Sequence, residues 1–220
     1  MIKGLIEGMI KGAIFDVDGT LLDSMGIWED VGVRYLKSIG KEPEANLSAI
    51  LFPMSIEEGA KYVKEHYGLP YAIDEIIEGV LSIVRDFYYY EAPLKEGAKA
   101  LLEVLKQKGI LMAIATSSER DHIEKAFKRL EIDGYFETIF TCSEVGKSKS
   151  SPLIYKKAAE YLCTKPEETL VFEDALHALL TAKSAGFHTL AVYDEASEKD
   201  QEALKKEAEV HVTALTELLS

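Results

Sequence analysis

This sequence is short of cysteine and of basic residues, and it contains no long apolar run. Its two cysteines, Cys142 and Cys163, are too few for a disulfide framework and too far apart for a metal knuckle. We read both as reduced thiols, which by compartment habit points to the cytoplasm. With no stretch of about 18 consecutive apolar residues, no membrane-spanning helix is expected. The first residues also lack an apolar run followed by a small-residue cleavage site, so no signal peptide is expected. Lys and Arg number 25 against 38 Asp and Glu, a formal net charge of −13. That balance argues against nucleic acid and against an anionic membrane as partner. A small phosphorylated molecule stays compatible, provided that local positive charge or a metal offsets the field.

What is present reads as an ordinary globular protein, with 47% hydrophobic and 29% charged residues in 220. That length suits one good core plus a small accessory domain. Residues 1–8 belong to MIKGLIEGMIKG, where MIKG occurs at 1–4 and again at 9–12. We expect 1–8 to be an N-terminal extension without a function of its own.

Short apolar runs alternate with helical periodicity. Strands are expected at 12–17, 110–116, 138–141, 169–174 and 188–192, each apolar on both faces as a covered parallel sheet requires. Helices are expected at 97–108, 119–130, 152–163 and 175–185, with Gly109 and Gly186 as stops. This alternation predicts an α/β fold, a doubly wound parallel sheet. Between Ser24 and Ala92 the rhythm breaks. Trp28, Val31, Tyr35, Leu36 and Ile39 form one helical stripe, and Ile73, Ile76, Ile77, Val80, Leu81, Val84, Phe87 and Tyr88 form another. Ser55 and Glu58 have the spacing of a capping box that opens a helix over 55–67. The expected organisation is therefore a core of 9–23 and 93–220, with a helical insert at 24–92. Tyr88, Tyr89 and Tyr90 read as packing residues, and His177 as a helix-surface residue.

The first strand ends in AIFDVDGTLLDS, residues 13–24. Asp16 and Asp18 lie two apart, and Gly19 lets the backbone turn away and present both carboxylates. Two such charges at about 4 Å repel by roughly 4 kcal/mol at an effective dielectric of 20. A cation, a raised pKa or a substrate partner has to compensate. Taken alone, the pair is an ordinary Asp-Gly turn. Three further features change that reading. Thr116-Ser117-Ser118 end the second strand with hydroxyls suited to hold an anion before a helix. Glu173-Asp174 end a later strand, and KSKSSP at 147–152 offers Lys147 and Lys149. All of these fall at predicted carboxyl ends of strands, where open α/β sheets bind ligands.

DVDGT, the hydroxyl after the second strand, the loop lysine and FED resemble the four motifs of the haloacid dehalogenase superfamily, in order and over nearly the whole chain. The likeness is to its β-phosphoglucomutase and phosphatase branch. It implies a Rossmann-like core with sheet order 5-4-1-2-3, a helical cap of four or five helices inserted after the first strand, and Mg²⁺. By the same resemblance Asp16 is a nucleophile that forms an aspartyl-phosphate, and Asp18 a general acid and base. The metal ligands would be Asp16, the Asp18 backbone carbonyl, Asp174 and Glu173, the last directly or through an intervening group. Gly19, Thr116, the Ser117 amide and Lys149 would bind the phosphoryl group. The family's Gly-Lys-Pro-x-Pro pattern has lost its first proline here; the distance to Pro152 selects Lys149 over Lys147. Ala175 and Ala178 stand where the family often has serine and glycine.

Retention of Asp18 implies a phosphate-ester substrate, since relatives that cleave other bonds replace that residue. Trp28 and Ile56 occupy the positions where the mutase branch carries a histidine and an arginine. The expectation is a phosphatase acting on a small phosphorylated metabolite, with a sugar phosphomutase as alternative and a catalytically silent phospho-ligand-binding protein as second alternative.

Overall fold

A computed structural model describes residues 9–219; the predicted extension 1–8 lies outside them. Six parallel strands form one sheet in the order β3-β2-β1-β4-β5-β6. They are β1 (Gly12–Phe15), β2 (Leu111–Thr116), β3 (Thr138–Thr141), β4 (Thr169–Glu173), β5 (His188–Val192) and β6 (Val210–Val212). The first five keep the expected 5-4-1-2-3 order, and β6 adds an edge strand that the sequence pattern does not announce. β1 is shorter than its apolar run. Val17 has already left the sheet, and its carbonyl accepts from the amides of Leu21 and Leu22 to close a tight loop.

Side-chain alternation sends Ile14, Ala113, Ala115 and Val171 to one face of the sheet. There they pack with Ile154, Tyr155 and Ala158 of α8 (Leu153–Tyr161) and with Ala182 of α9 (Leu176–Ser184). On the other face Phe15 stacks on Phe172 with centroids 4.2 Å apart and meets Phe136 edge-on at 6.1 Å. Phe127 of α6 (Arg120–Leu130) stacks on Phe136 in turn. Burying a phenylalanine contributes about 1.5–3 kcal/mol, so these rings anchor the central strands that carry the site. α5 (Ala98–Gln107) precedes β2, α7 (Cys142–Val145) follows β3 and α10 (Gln201–Glu207) precedes β6. Gly109 and Gly186 have positive φ at the helix ends where they were expected.

The chain divides into two units by internal contact: the sheet-bearing residues up to Asp23 and from Ala92 onward, and the helical residues Ser24–Glu91. Ala92, grouped with the insert by its sequence position, falls in the sheet-bearing unit. The helical unit contains α1 (Ile27–Ser38), α2 (Leu47–Leu51), α3 (Ile56–Tyr67) and α4 (Ile73–Tyr90). Their apolar stripes meet at Tyr35, Leu36, Leu47, Ala60, Val63 and Ile76. The Ser55 hydroxyl accepts from the Glu58 amide at 3.3 Å, and the Glu58 carboxylate accepts from the Ser55 amide at 2.8 Å, completing the capping box. No helix among the described residues is long and apolar enough to cross a membrane.

Candidate active site

Because every strand is parallel, the ends of β1, β2 and β4 lie on one edge, and that edge carries the polar residues. Asp16 follows β1 directly, with its amide still donating to the Phe172 carbonyl at 3.0 Å. Glu173 is the last residue of β4, and Asp174 follows it. Carboxylate oxygens of Asp16, Glu173 and Asp174 lie within 4.8 Å of one another, and all three side chains are buried.

Lys149, in the loop before α8, is 5% exposed and reaches into this trio. Its ammonium donates to Asp16 Oδ1 and, at 2.6 Å, to Glu173 Oε1. Lys147 is exposed. The Tyr155 hydroxyl donates to the same Glu173 Oε1 at 2.6 Å, while Glu173 Oε2 is buried with no hydrogen-bond partner among the described residues.

The electrostatics follow from burying three acids with one base. Burial, opposed by Lys149 and reinforced by Glu173 and Asp174, holds the Asp16 carboxyl well above the usual carboxylate range. Burial and then Glu173 push Asp174 up to about 7. For Lys149 burial acts downward, but the Asp16 and Glu173 charges outweigh it and keep the ammonium firmly protonated. Burial and the Glu173 charge likewise hold the Tyr155 phenol protonated. Three carboxylates facing one ammonium leave two negative charges in excess when all are ionised. Hard oxygen donors carrying that excess fit a small divalent cation, and the bare Glu173 Oε2 fits one as well.

Gly19 is fixed twice over. Its φ is +76°, and a Cβ there would stand 2.6 Å from Asp174 Oδ2. Only glycine permits the loop to pass so close to that carboxylate. Thr20 Oγ1 donates to Asp174 Oδ1 at 3.4 Å. Asp18, partly exposed, accepts from Ser118 Oγ at 2.6 Å. Thr116 is buried at the end of β2, and its hydroxyl oxygen accepts from the Ser118 amide at 3.0 Å. Ser117 is exposed, its hydroxyl 3.5 Å from Cys142 Sγ. His177 is exposed on α9.

Three contributors escaped the motif reading. Ser118 was seen only as part of a hydroxyl cluster, and Tyr155 only as part of a helix opening. Asp194, after β5, is buried and held by Lys95 at 2.7 Å. Its Cγ is 3.2 Å from the position of a Gly19 Cβ, and its charge helps to raise Asp174. An acid after the last central strand was the available signal.

The family model of haloacid dehalogenase-like hydrolases matches residues 13–192, and this chain belongs to that family. Among curated relatives, a bifunctional riboflavin kinase/FMN phosphatase of Arabidopsis thaliana is 31% identical over 188 residues. Those residues are 81% of this chain and 47% of that protein, so this chain spans about half the plant protein's length. A validoxylamine A 7'-phosphate phosphatase of Streptomyces hygroscopicus subsp. limoneus is 29% identical over 96% of both chains. Among solved structures, a Thermotoga maritima protein assigned as a beta-phosphoglucomutase superposes with a TM-score of 0.83 at 25% identity. That match covers 96% of this chain and 99% of the other.

Proposed function

We propose that this protein is a phosphomonoester hydrolase acting on a small phosphorylated metabolite. The observation that carries the reading is the buried Asp16 carboxylate at the end of β1, held by Lys149 beside Glu173 and Asp174. Membership of the hydrolase family and the phosphatase names of its relatives support it.

Asp16 attacks phosphorus in line and becomes an aspartyl-phosphate, which divides one hard displacement into two. Asp18 protonates the leaving alkoxide and then takes a proton from the attacking water. The 2.6 Å bond from Ser118 orients the Asp18 carboxyl for both transfers. Thr116, whose oxygen already accepts from the Ser118 amide, keeps its own hydroxyl proton to donate to a phosphoryl oxygen. The Ser117 amide, Gly19 at the loop and the Lys149 ammonium complete the phosphate contacts. Lys149 also offsets repulsion between Asp16 and a dianionic ester. Asp16, Asp174, Glu173 and the Asp18 carbonyl would hold Mg²⁺, which when bound neutralises charge between the nucleophile and the phosphoryl oxygens. Tyr155 holds Glu173 Oε1, leaving Oε2 bare.

The phosphomutase reading needs a cation for a second phosphate. Trp28 and Ile56 stand at the positions where that branch has a histidine and an arginine, and neither supplies a bidentate, charge-assisted partner. Inorganic phosphate release from a panel of phosphate monoesters, with Mg²⁺ and with EDTA, tests the proposal. Metal-dependent release that vanishes in Asp16→Asn is the expected result. No release, with β-glucose 1-phosphate still converted to glucose 6-phosphate when primed by the bisphosphate, would make this a mutase.

A further inference from the structure

The helical unit contains a cavity of about 220 Å³ whose lining residues all belong to that unit. Trp28, Val31, Leu51, Phe52, Ile56 and Val63 are among the apolar residues that line it. Three of these are large apolar side chains left open to solvent: Trp28 is 44% exposed, Phe52 64% and Ile56 37%. Apolar side chains gathered beside a cavity, rather than scattered, mark a binding surface.

The polar part of the lining is small. Among the described residues that line it, Glu29 is the one charged side chain, and none is a lysine, arginine or histidine. An anion placed here would meet an acid and no base. Tyr35 and Ser55 add two hydroxyls, the latter already accepting from the Glu58 amide. An apolar cavity of about 150 Å³ holds benzene, so about 220 Å³ has room for about eight to ten non-hydrogen atoms.

We propose that this cavity binds an uncharged apolar group of about that size. Such a group has two sources: the organic part of the phosphate ester, or a free apolar molecule. The cavity assignment stands on its lining alone; only the first source rests on the phosphatase reading.

Trp28 is the sole tryptophan of the chain and lines the cavity, so its emission reports occupancy directly. The experiment titrates the full-length protein with benzyl alcohol, using glycerol as polar control and benzoate as anionic control. The expected result is a saturable change with benzyl alcohol, binding about tenfold weaker or worse for benzoate, and no change with glycerol. Gly59→Leu supplies the structural control. Gly59 lines the cavity, and within 4 Å a Cβ there would meet only Leu51 Cδ2, at 3.7 Å, so a leucine is expected to take up part of the volume. Leucine also favours the interior of α3 more than glycine does, and thermal unfolding verifies that the variant folds. Its affinity for benzyl alcohol should fall at least tenfold. A wild-type response that is absent, or as strong for glycerol as for benzyl alcohol, overturns the proposal whatever the variant does. So does a response unchanged in folded Gly59→Leu.

The source is read from kcat/KM for benzyl phosphate against glycerol phosphate. A preference of tenfold or more, with benzyl alcohol competing, assigns the cavity to the ester's organic part. Equal values with binding intact assign it to a free molecule. Binding without hydrolysis of any ester overturns the phosphatase reading and leaves the cavity assignment in place.

Discussion

The carboxylate cluster at the strand ends and the cavity of the helical unit are built from opposite materials. In the cluster three buried acids lie together, two of them bonded to one lysine, and Glu173 Oε2 has no hydrogen-bond partner among the described residues. In the cavity aromatic and aliphatic walls surround open volume, with a single acid among them. Charge that is expensive to bury persists where it has chemistry to perform. Apolar volume left unfilled persists where something else fills it. On the proposed readings, the sheet edge supplies the charge for the reaction and the helical unit supplies an apolar binding volume.

The sharpest way to break this contrast is to remove the charge that does the chemistry. Asp16→Asn keeps an oxygen to accept from Lys149 but loses the nucleophile, and phosphate release should fall about 10⁴-fold or more. A loss under tenfold would assign the attack to another group. Lys149→Met should lower turnover by about 10² to 10³. It also leaves Asp16 and Glu173 buried without their cation, which costs about 3–5 kcal/mol in a denaturant melt. An equally stable variant would mean that the acids are neutral in the resting protein.

Mg²⁺ should act on the cluster as a ligand acts on any folded state. At a hundredfold excess over its dissociation constant it contributes about 2.7 kcal/mol, a rise in melting temperature of roughly 5–10 °C for a chain of this size. EDTA should reverse the shift, and Asp174→Asn should abolish it. A shift retained in that variant would place the metal elsewhere. The smallest effect belongs to the helical unit. Ser55→Ala removes one half of the α3 capping box and should cost about 1 kcal/mol of stability by chemical denaturation. A larger loss would mean that the cap is only part of what the Ser55 hydroxyl stabilises.

Much of this architecture was legible because it is local. Apolar runs on β1 to β5, the stops at Gly109 and Gly186 and the Ser55-Glu58 box each express themselves within a few residues. β6 was not legible, since three residues of VHV carry too little pattern to register as a strand. The five-residue α2 fell below the same threshold. At the site, motif spacing picked out Asp16, Asp18, Thr116, Lys149, Glu173 and Asp174, and the fold brings their elements to one sheet edge. Their supports were invisible, because Tyr155 on Glu173, Ser118 on Asp18 and Lys95 on Asp194 are contacts between distant parts of the chain. Ordinary tyrosines, serines and lysines gain such meaning only once the sheet is assembled.

The central claim is that Asp16 takes the phosphoryl group. Its most direct test mixes enzyme, Mg²⁺ and a turned-over ester, quenches in acid within the first turnover and maps the digest by mass spectrometry. The account predicts a phosphoryl group on the peptide containing Asp16, absent in Asp16→Asn. An unmodified Asp16 peptide during active turnover, or the group on another residue, would contradict it.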